Sequence, residues 1–280
     1  CSAGWSWSPY NDAVEESVSP GLRARVLSMI STGTTFGIAG AGVTALVVGA
    51  SWRYGWLVFS AAAALALLCN TLALPRKSGS KYRAGGPALR SLARRDAVPL
   101  FAVALSFGVV SSVYYSFAVD HVSQSSGFSS GLVASLGPVL FVVLGLGGVT
   151  GFFTGDAVNR FGLRRVLMAI LSCAAASTVL LGVAPGSLPA AAVSALLFGA
   201  YVMTISALLS VWSSLVFPES PTSGFSTALV ALAVGSILAP SSMGFLAGAY
   251  GYDAIFLISA TVAALTAFAR PASYSVGQNG

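Results

Sequence analysis

The stretch GDAVNRFGLRRVLM, residues 155–168, gathers charge in a chain that has very little. It holds Asp156, Arg160, Arg164 and Arg165 within ten positions, whereas only 8% of the 280 residues are charged. A soluble domain carries about 25% charged residues. With 56% hydrophobic residues and a mean hydropathy of +0.84, the chain has a composition that suits an apolar environment such as lipid. Its few charged residues therefore indicate which segments lie outside that environment.

Long uncharged runs on both sides of this stretch predict membrane-spanning helices. A helix crosses a bilayer with about 20 mostly apolar residues, and only helices and closed barrels can cross lipid. Barrel strands would alternate every second residue, which these runs do not. Turn signals divide them, and Pro240 is a candidate break within one span. We predict a stub and eight full helices, at about 1–16, 26–50, 54–74, 97–119, 130–154, 164–183, 188–216, 223–248 and 252–270.

The basic residues set the predicted orientation of this all-α polytopic membrane protein. Lys and Arg are retained on the cytoplasmic side of short loops. If the C-terminus is cytoplasmic, thirteen of the fourteen Lys and Arg residues lie inside and Arg53 alone lies outside. The stretch 155–168 is then a tight cytoplasmic loop. The net charge of +6 reflects topology and attraction to anionic lipid, and it points to no nucleic-acid partner. We expect a monomer in the inner or plasma membrane of the cell.

An internal repeat predicts a longer parent protein. A Ser-Pro segment opens a helix rich in small residues at 18–33, and a Tyr-containing turn opens an Ala-rich helix at 54–68. The same order returns at 219–235 and 252–265, about 200 residues later. Applied to the helices within 97–183, that offset places their partners before residue 1. We therefore expect two six-helix halves, with the first three helices missing here.

The charged stretch resembles a signature of the major facilitator superfamily, in which Gly, three residues, Asp, Arg, one residue, Gly, one residue and two basic residues follow in order. The matching positions are Gly155, Asn159, Arg160, Gly162, Arg164 and Arg165, and only Asn159 departs from the pattern. Residues 19–42 and 51–59 also look like parts of that family. The resemblance implies an incomplete bacterial-type major facilitator fold, with about nine of twelve helices, numbered four to twelve.

This resemblance divides the chain into four parts. Residues 1–74 would end the first six-helix half, 75–96 would be a basic cytoplasmic linker, 97–270 would be the second half, and 271–280 a cytoplasmic tail. Gly155 and Gly162 permit close packing and a turn with positive φ. Arg160, Arg164 and Arg165 would pair with carboxylates or helix carbonyls and hold a cytoplasmic gate closed. The alternative is that these arginines only anchor the topology.

Polar groups inside the spans indicate where a solute could pass. The candidates are Tyr115, Tyr201, Ser111, Thr204, Thr34 and Asn70. Each has a simpler interpretation, as an interfacial tyrosine or as a hydroxyl bonded to the carbonyl four residues earlier. Asp12 is the candidate coupling carboxylate, because no acidic residue lies deep in a complete span.

We expect no metal, no cofactor and no enzyme. The three cysteines lack a CxxC spacing and His121 is the one histidine, so neither a metal cluster nor a catalytic triad can be assembled. The resemblance implies a secondary active transporter that moves a small solute by alternating access between two helical halves. A non-transporting membrane sensor or scaffold on the same fold is the alternative.

Overall fold

The computed structural model describes Tyr10, Val14 and residues 18–73, 95–125, 130–218 and 220–269. Asp12, most of the predicted stub, residues 75–94 of the basic linker and the tail lie outside the described residues. Within them, the secondary structure is α-helical apart from two short 3₁₀ segments, Arg95–Ala97 and Val149–Phe153. This confirms the predicted all-α class.

Nine helices follow one another along the described residues. They are α1 Pro20–Val48, α2 Trp52–Ala73, α3 Val98–Ser125, α4 Ser130–Gly148, α5 Thr154–Phe161, α6 Leu163–Val183, α7 Leu188–Val216, α8 Pro221–Tyr250 and α9 Tyr252–Thr266. Seven helical stretches there are long and apolar enough to cross a membrane, and α9 is a shorter apolar helix. The eight predicted spans all correspond to helices.

The ends of α3 and α9 and the interior of α8 differ from the prediction. Helix α3 continues to Ser125, and His121 in its last turns is held by the Leu181 carbonyl and by Asp253. Helix α8 passes through Pro240 without a break. Pro240 has no N–H to bond the Ser236 carbonyl four residues earlier, and a membrane helix tolerates such a loss through local adjustment and neighbouring helices. Helix α9 ends at Thr266, before the predicted 270.

The predicted repeat is visible in the local geometry of two helix pairs. Helices α1 and α8 both begin with a proline in their first turn, after Ser19 and Ser220. Each is followed by a glycine with positive φ, 54° at Gly49 and 84° at Gly251. That conformation is strained for other residues. A glycine with positive φ therefore makes the turn into α2 and the turn into α9.

Helix α7 is the centre of the packed structure. It contacts α1, α3, α4, α6 and α8, and every residue from 201 to 213 is buried. Helix α2 lies at the other extreme, since it packs only lightly on α1 and is exposed along nearly its whole length. An apolar, exposed helix of this kind is stable when its surroundings are lipid.

Glycines let neighbouring helix backbones touch around α7. A side chain at Gly199 would collide with the Leu144 carbonyl of α4, and one at Gly147 would collide with the Leu196 carbonyl of α7. Inside a membrane there is little hydrophobic drive for helices to associate, so close van der Waals packing of this kind holds them together.

The described arginines collect at one end of the bundle, which we call the basic end. Successive helices run antiparallel, so the starts of α1, α3 and α6 and the whole of α5 share that end. It carries Arg23, Arg25, Arg95, Arg160, Arg164 and Arg165. Arg53, between α1 and α2, lies at the opposite end. Contact between Gly155 and Ala24 verifies that α1 and α5 share the basic end.

Candidate functional site

The charged stretch forms a short helix and a turn rather than the tight loop that was predicted. Residues Thr154–Phe161 are helical, with Asp156 in the first turn and Arg160 in the last. This order matches the helix dipole, which favours an acid at the start and a base at the end, and explains why a helix forms here. Gly162 then reverses the chain with φ 83°, as its place in the motif predicted.

Gly155 places this stretch directly against α1. A Cβ at Gly155 would lie 2.8 Å from the Ala24 carbonyl oxygen and 2.8 Å from the Arg25 nitrogen. No side chain fits at that spacing, so a glycine is needed for α5 to meet the start of α1. The motif therefore joins the segment after the basic linker to the segment before it.

The polar side chains of the motif lie on the surface. Asn159, Arg160, Arg164 and Arg165 are exposed, and the Arg160 guanidinium carbon lies 5.3 Å from the Phe161 ring centroid. Among the described residues, the structure shows no carboxylate within ion-pair distance of these three arginines. Their pairing in a closed gate stays a prediction.

Helix α1 packs through small residues on α4 and on the 3₁₀ segment Val149–Phe153 that follows it, from the motif into the bundle. A Cβ at Gly151 would lie 2.7 Å from the Thr32 hydroxyl, and one at Gly145 would lie 2.6 Å from the Ala39 Cβ. Between these contacts, Gly148 meets Thr35. Glycines and small side chains thus make most of this contact, and the larger side chains in it are Val142 against Gly42 and Phe152 against Phe36.

An aromatic cluster and a pocket lie between α3, α4 and α7. The pocket is partly open, has a volume of about 20 Å³, room for about one water molecule, and is lined by Tyr114, Tyr115, Ala118, Val119, Leu140, Phe141 and Leu144. We call it the α3–α4 pocket. Tyr115 is parallel to Phe141, at 6.2 Å between centroids, and meets Phe198 edge-on at 5.8 Å. Its side chain is 38% exposed, so the predicted candidate Tyr115 does line a cavity.

Tyr114 has a structural role that sequence reasoning missed. Its hydroxyl lies 3.1 Å from the Ser194 hydroxyl, and its ring stacks on Phe198 at 3.7 Å between centroids. Ser194 and Ser177 each donate to the other's backbone carbonyl, at 2.9 and 2.8 Å. This network ties α3, α6 and α7 together. Isolated serines in two apolar runs gave no signal that they would meet.

Tyr201 is the most deeply placed of the predicted pathway residues. Its side chain is 0% exposed, and its ring meets Phe107 and Phe198, both at 5.6 Å between centroids. The Tyr201 hydroxyl has no hydrogen-bond partner among the described residues, and neither has the Trp212 indole nitrogen on the same helix. An unsatisfied buried donor costs about 1–3 kcal/mol, so each needs a functional or structural reason.

The other predicted pathway residues do not converge on one site. The Ser111 hydroxyl donates to the Phe107 carbonyl at 2.6 Å, which is the simpler of its two interpretations. Thr204 is buried in α7, and Thr34 is half-buried on α1. Asn70 lies exposed on α2, where it accepts a hydrogen bond from the Tyr10 hydroxyl at 3.3 Å. Tyr115 and Tyr201 both meet the Phe198 ring, and Ser111 and Tyr201 both contact Phe107.

His121 closes the end of the bundle opposite to the basic end. Its Nε2 lies 2.9 Å from the Leu181 carbonyl oxygen and 3.2 Å from Asp253 Oδ1. The ring is stacked on Phe256 at 5.2 Å between centroids. His121 therefore joins the outer parts of α3, α6 and α9, all of which follow the linker.

Comparison with known families assigns the chain. Residues 1–220 match the Major Facilitator Superfamily, which is 220 of 280 residues and includes the motif at 155–165 and helices α1–α7. A comparison with curated proteins found no match. The family match, the helical secondary structure and the seven apolar helices fit an incomplete all-α fold of this family. The chain therefore belongs to the major facilitator superfamily and is a membrane transporter.

Proposed function

We propose that this transporter is a secondary active one that moves a small solute by alternating access between two helical halves. Its single strongest support is the small-residue face between α1 and α4, because these helices come from opposite sides of the basic linker. A face made mostly of small residues needs few rearrangements when the helices separate. Two halves that meet in this way have an interface that suits discrete closed and open arrangements.

The halves in this proposal are residues 1–74 and 97–270, joined by the linker 75–96. They correspond to helices four to twelve of a twelve-helix protein. The basic end is cytoplasmic, which puts the tail 271–280 in the cytoplasm. The protein acts as a monomer in the cell membrane, and Asp12 is the coupling carboxylate.

The gate in this proposal is the motif itself. Gly155 brings α5 against α1, so opening the basic end must break that contact. Arg160, Arg164 and Arg165 lie on the exposed side of the same contact, where they can bind carboxylates or helix carbonyls of the first half. Asn159 carries no charge and leaves this gate with one attraction fewer than the family pattern.

Cysteine accessibility tests alternating access without knowledge of the solute. In a variant without its native cysteines, Thr204→Cys reports access to α7. The Phe36 and Phe152 ring centroids are 6.0 Å apart across the contact between α1 and the 3₁₀ segment Val149–Phe153, so Phe36→Cys and Phe152→Cys suit a short bifunctional thiosulfonate. This cross-link should stop labelling of Thr204→Cys by an impermeant reagent from the basic end and preserve it from the opposite end.

The matched control is a cross-link within one half. The Ser177 and Ser194 hydroxyls are 3.0 Å apart, and both residues follow the linker, so Ser177→Cys with Ser194→Cys should leave labelling from both ends intact. Ser125→Cys, at the opposite end, should react from outside intact cells. If the cross-link between α1 and the α4 segment changes labelling no more than the control does, the two halves do not alternate.

A further inference from the structure

We propose that Thr35 is a positioning residue for transport, whose unbonded hydroxyl destabilises the closed contact between α1 and α4 and so favours opening of the basic end. This role rests on the proposed function, because it needs two halves that separate and close again. The observation that carries it is one buried hydroxyl at the place where the halves meet.

Thr35 lies within the contact between the two halves. A Cβ at Gly148 of α4 would collide with the Thr35 hydroxyl oxygen, so that oxygen faces the backbone of the other half. The Thr35 side chain is only 1% exposed, and the next residue, Phe36, faces Phe152. Water can therefore reach the Thr35 hydroxyl only when α1 moves away from α4.

The Thr35 hydroxyl makes no hydrogen bond to any of the described residues. Two other buried hydroxyls of α1 behave differently, since Ser28 and Thr32 donate to the carbonyl four residues earlier at 2.8 and 2.7 Å. This is the usual bond of a helical serine or threonine, and it depends on which rotamer the side chain adopts. A hydroxyl oxygen is smaller than a methyl group, so presenting the oxygen to Gly148 keeps the helices close and forgoes the bond within α1.

The unmade bond affects the two arrangements of the halves differently. A buried donor without a partner loses its bond to water and gains nothing in return. Once α1 and α4 separate, water or the carbonyl four residues earlier can accept that bond, so the cost belongs to the closed arrangement alone. A Cα–H of Gly148 against the Thr35 oxygen would act in the opposite sense, but such contacts are weaker than an O–H bond. The net effect of the hydroxyl is therefore to favour opening.

Thr35→Ala and Thr32→Ala form a matched pair that isolates this hydroxyl. Each removes one methyl and one hydroxyl group from a buried threonine of α1, and each threonine faces a glycine, Gly148 or Gly151. The loss of the methyl group is common to both variants. The difference is that the Thr32 hydroxyl is bonded within its own helix, whereas the Thr35 hydroxyl has no partner among the described residues.

The measurement is the labelling rate of Thr204→Cys by an impermeant thiol reagent, in the full-length protein without its native cysteines. Vesicles of the two orientations expose the basic end or the opposite end. Thr35→Ala should lower labelling from the basic end at least about fivefold relative to Thr32→Ala, as expected for one unmade hydrogen bond. Labelling from the opposite end should not fall. A purely structural role would change thermal stability and leave the ratio of the two labelling rates as in the wild type.

Three results would overturn the role of Thr35. These are equal labelling of the two variants from the basic end, lower labelling of Thr35→Ala from both ends, and higher labelling of Thr35→Ala from the basic end. The last would show that the Thr35 oxygen holds the contact closed through Gly148. The cross-link between Phe36→Cys and Phe152→Cys is a separate test, because its failure rejects alternating access and the role of Thr35 with it. An effective cross-link with equal labelling of the two threonine variants rejects the role of Thr35 and leaves alternating access standing.

Discussion

Tyr114 and Tyr115 are neighbours in the sequence and differ completely in their surroundings. One residue along a helix turns the side chain by about 100°, so Tyr114 lies inside the bundle, bonded to Ser194, while Tyr115 lines the pocket. The sequence shows both tyrosines, and it predicts Tyr115 as the pathway residue. The sequence could not show which of the two rings would be tied into the fold, because the partners come from α6 and α7.

The serine pair that supports Tyr114 should contribute measurably to stability. Ser194→Ala removes its hydroxyl's bonds to Tyr114 and to Ser177, and hydrogen bonds between membrane helices contribute about 0.6 kcal/mol each, up to about 1.7. We expect a loss of about 1–2 kcal/mol in the free energy of unfolding, measured by denaturant or steric-trap unfolding in detergent.

Ser111→Ala is the control for that measurement. The Ser111 hydroxyl bonds only carbonyls of its own helix, those of Phe107 and Gly108, so its loss should change stability by less than about 0.5 kcal/mol. Equal losses in the two variants would show that the Ser194 network does not hold helices together.

At the scale of helices, the sequence predicted the number of described spans and their approximate positions, because a span is set by length and apolarity alone. It did not predict α5. The stretch that forms α5 is polar and short, and its helix depends on Asp156 and Arg160 complementing the dipole and on Gly155 docking on α1. The docking partner lies about 130 positions earlier, so periodicity could not reveal it.

Two glycines on different helices test what close approach contributes. Gly199→Ala places a Cβ against the Leu144 carbonyl of α4, whereas Gly33→Ala on α1 meets nothing within 4 Å. Overpacking a tight contact costs about 1–3 kcal/mol, and replacing an exposed helical glycine by alanine gains up to about 1 kcal/mol. We expect Gly199→Ala to lower the unfolding temperature in detergent and Gly33→Ala to hold or raise it.

That comparison contains its own control, since the same chemical change is made in two helices. A fall of similar size in both variants would mean that helix flexibility, and not the α4–α7 contact, determines the effect. Gly33 and Gly37 have the four-residue spacing that is typical of a helix packing face, yet a Cβ at either position meets nothing within 4 Å among the described residues. Glycine spacing indicates a flat helix face, and it carries no information on whether another helix lies against it.

At the scale of the whole molecule, the family and the clustering of arginines at one end followed from the motif and from the charge pattern. The contact between α1 and α4 did not, because the two helices are separated by the linker and neither shows its partner in its own sequence. Beside this contact, Gly155 brings α5 of the charged motif onto α1, so the motif also joins the segments before and after the linker. A merely topological anchor would not need that docking.

Arg160→Gln in the full-length protein tests whether Arg160 helps to close a gate or only anchors the topology. The remaining basic residues of the linker and of α6 still set the topology, so insertion and expression should be unchanged. If Arg160 stabilises the closed basic end, its loss should raise labelling of Thr204→Cys from that end, by about 5- to 150-fold in population for a coupling of ordinary size. Asn159→Asp restores the acid of the family pattern beside Arg160 and should lower the same labelling.

The structure also offers a competing explanation for Arg160, in which it only complements the dipole of α5 and covers Phe161. Under that explanation Arg160→Lys would behave as wild type, and Arg160→Gln would loosen α5 without changing access to α7. Normal insertion of Arg160→Gln with unchanged labelling from the basic end would therefore remove the gating role from this motif, even though Gly155 would still hold α5 against α1.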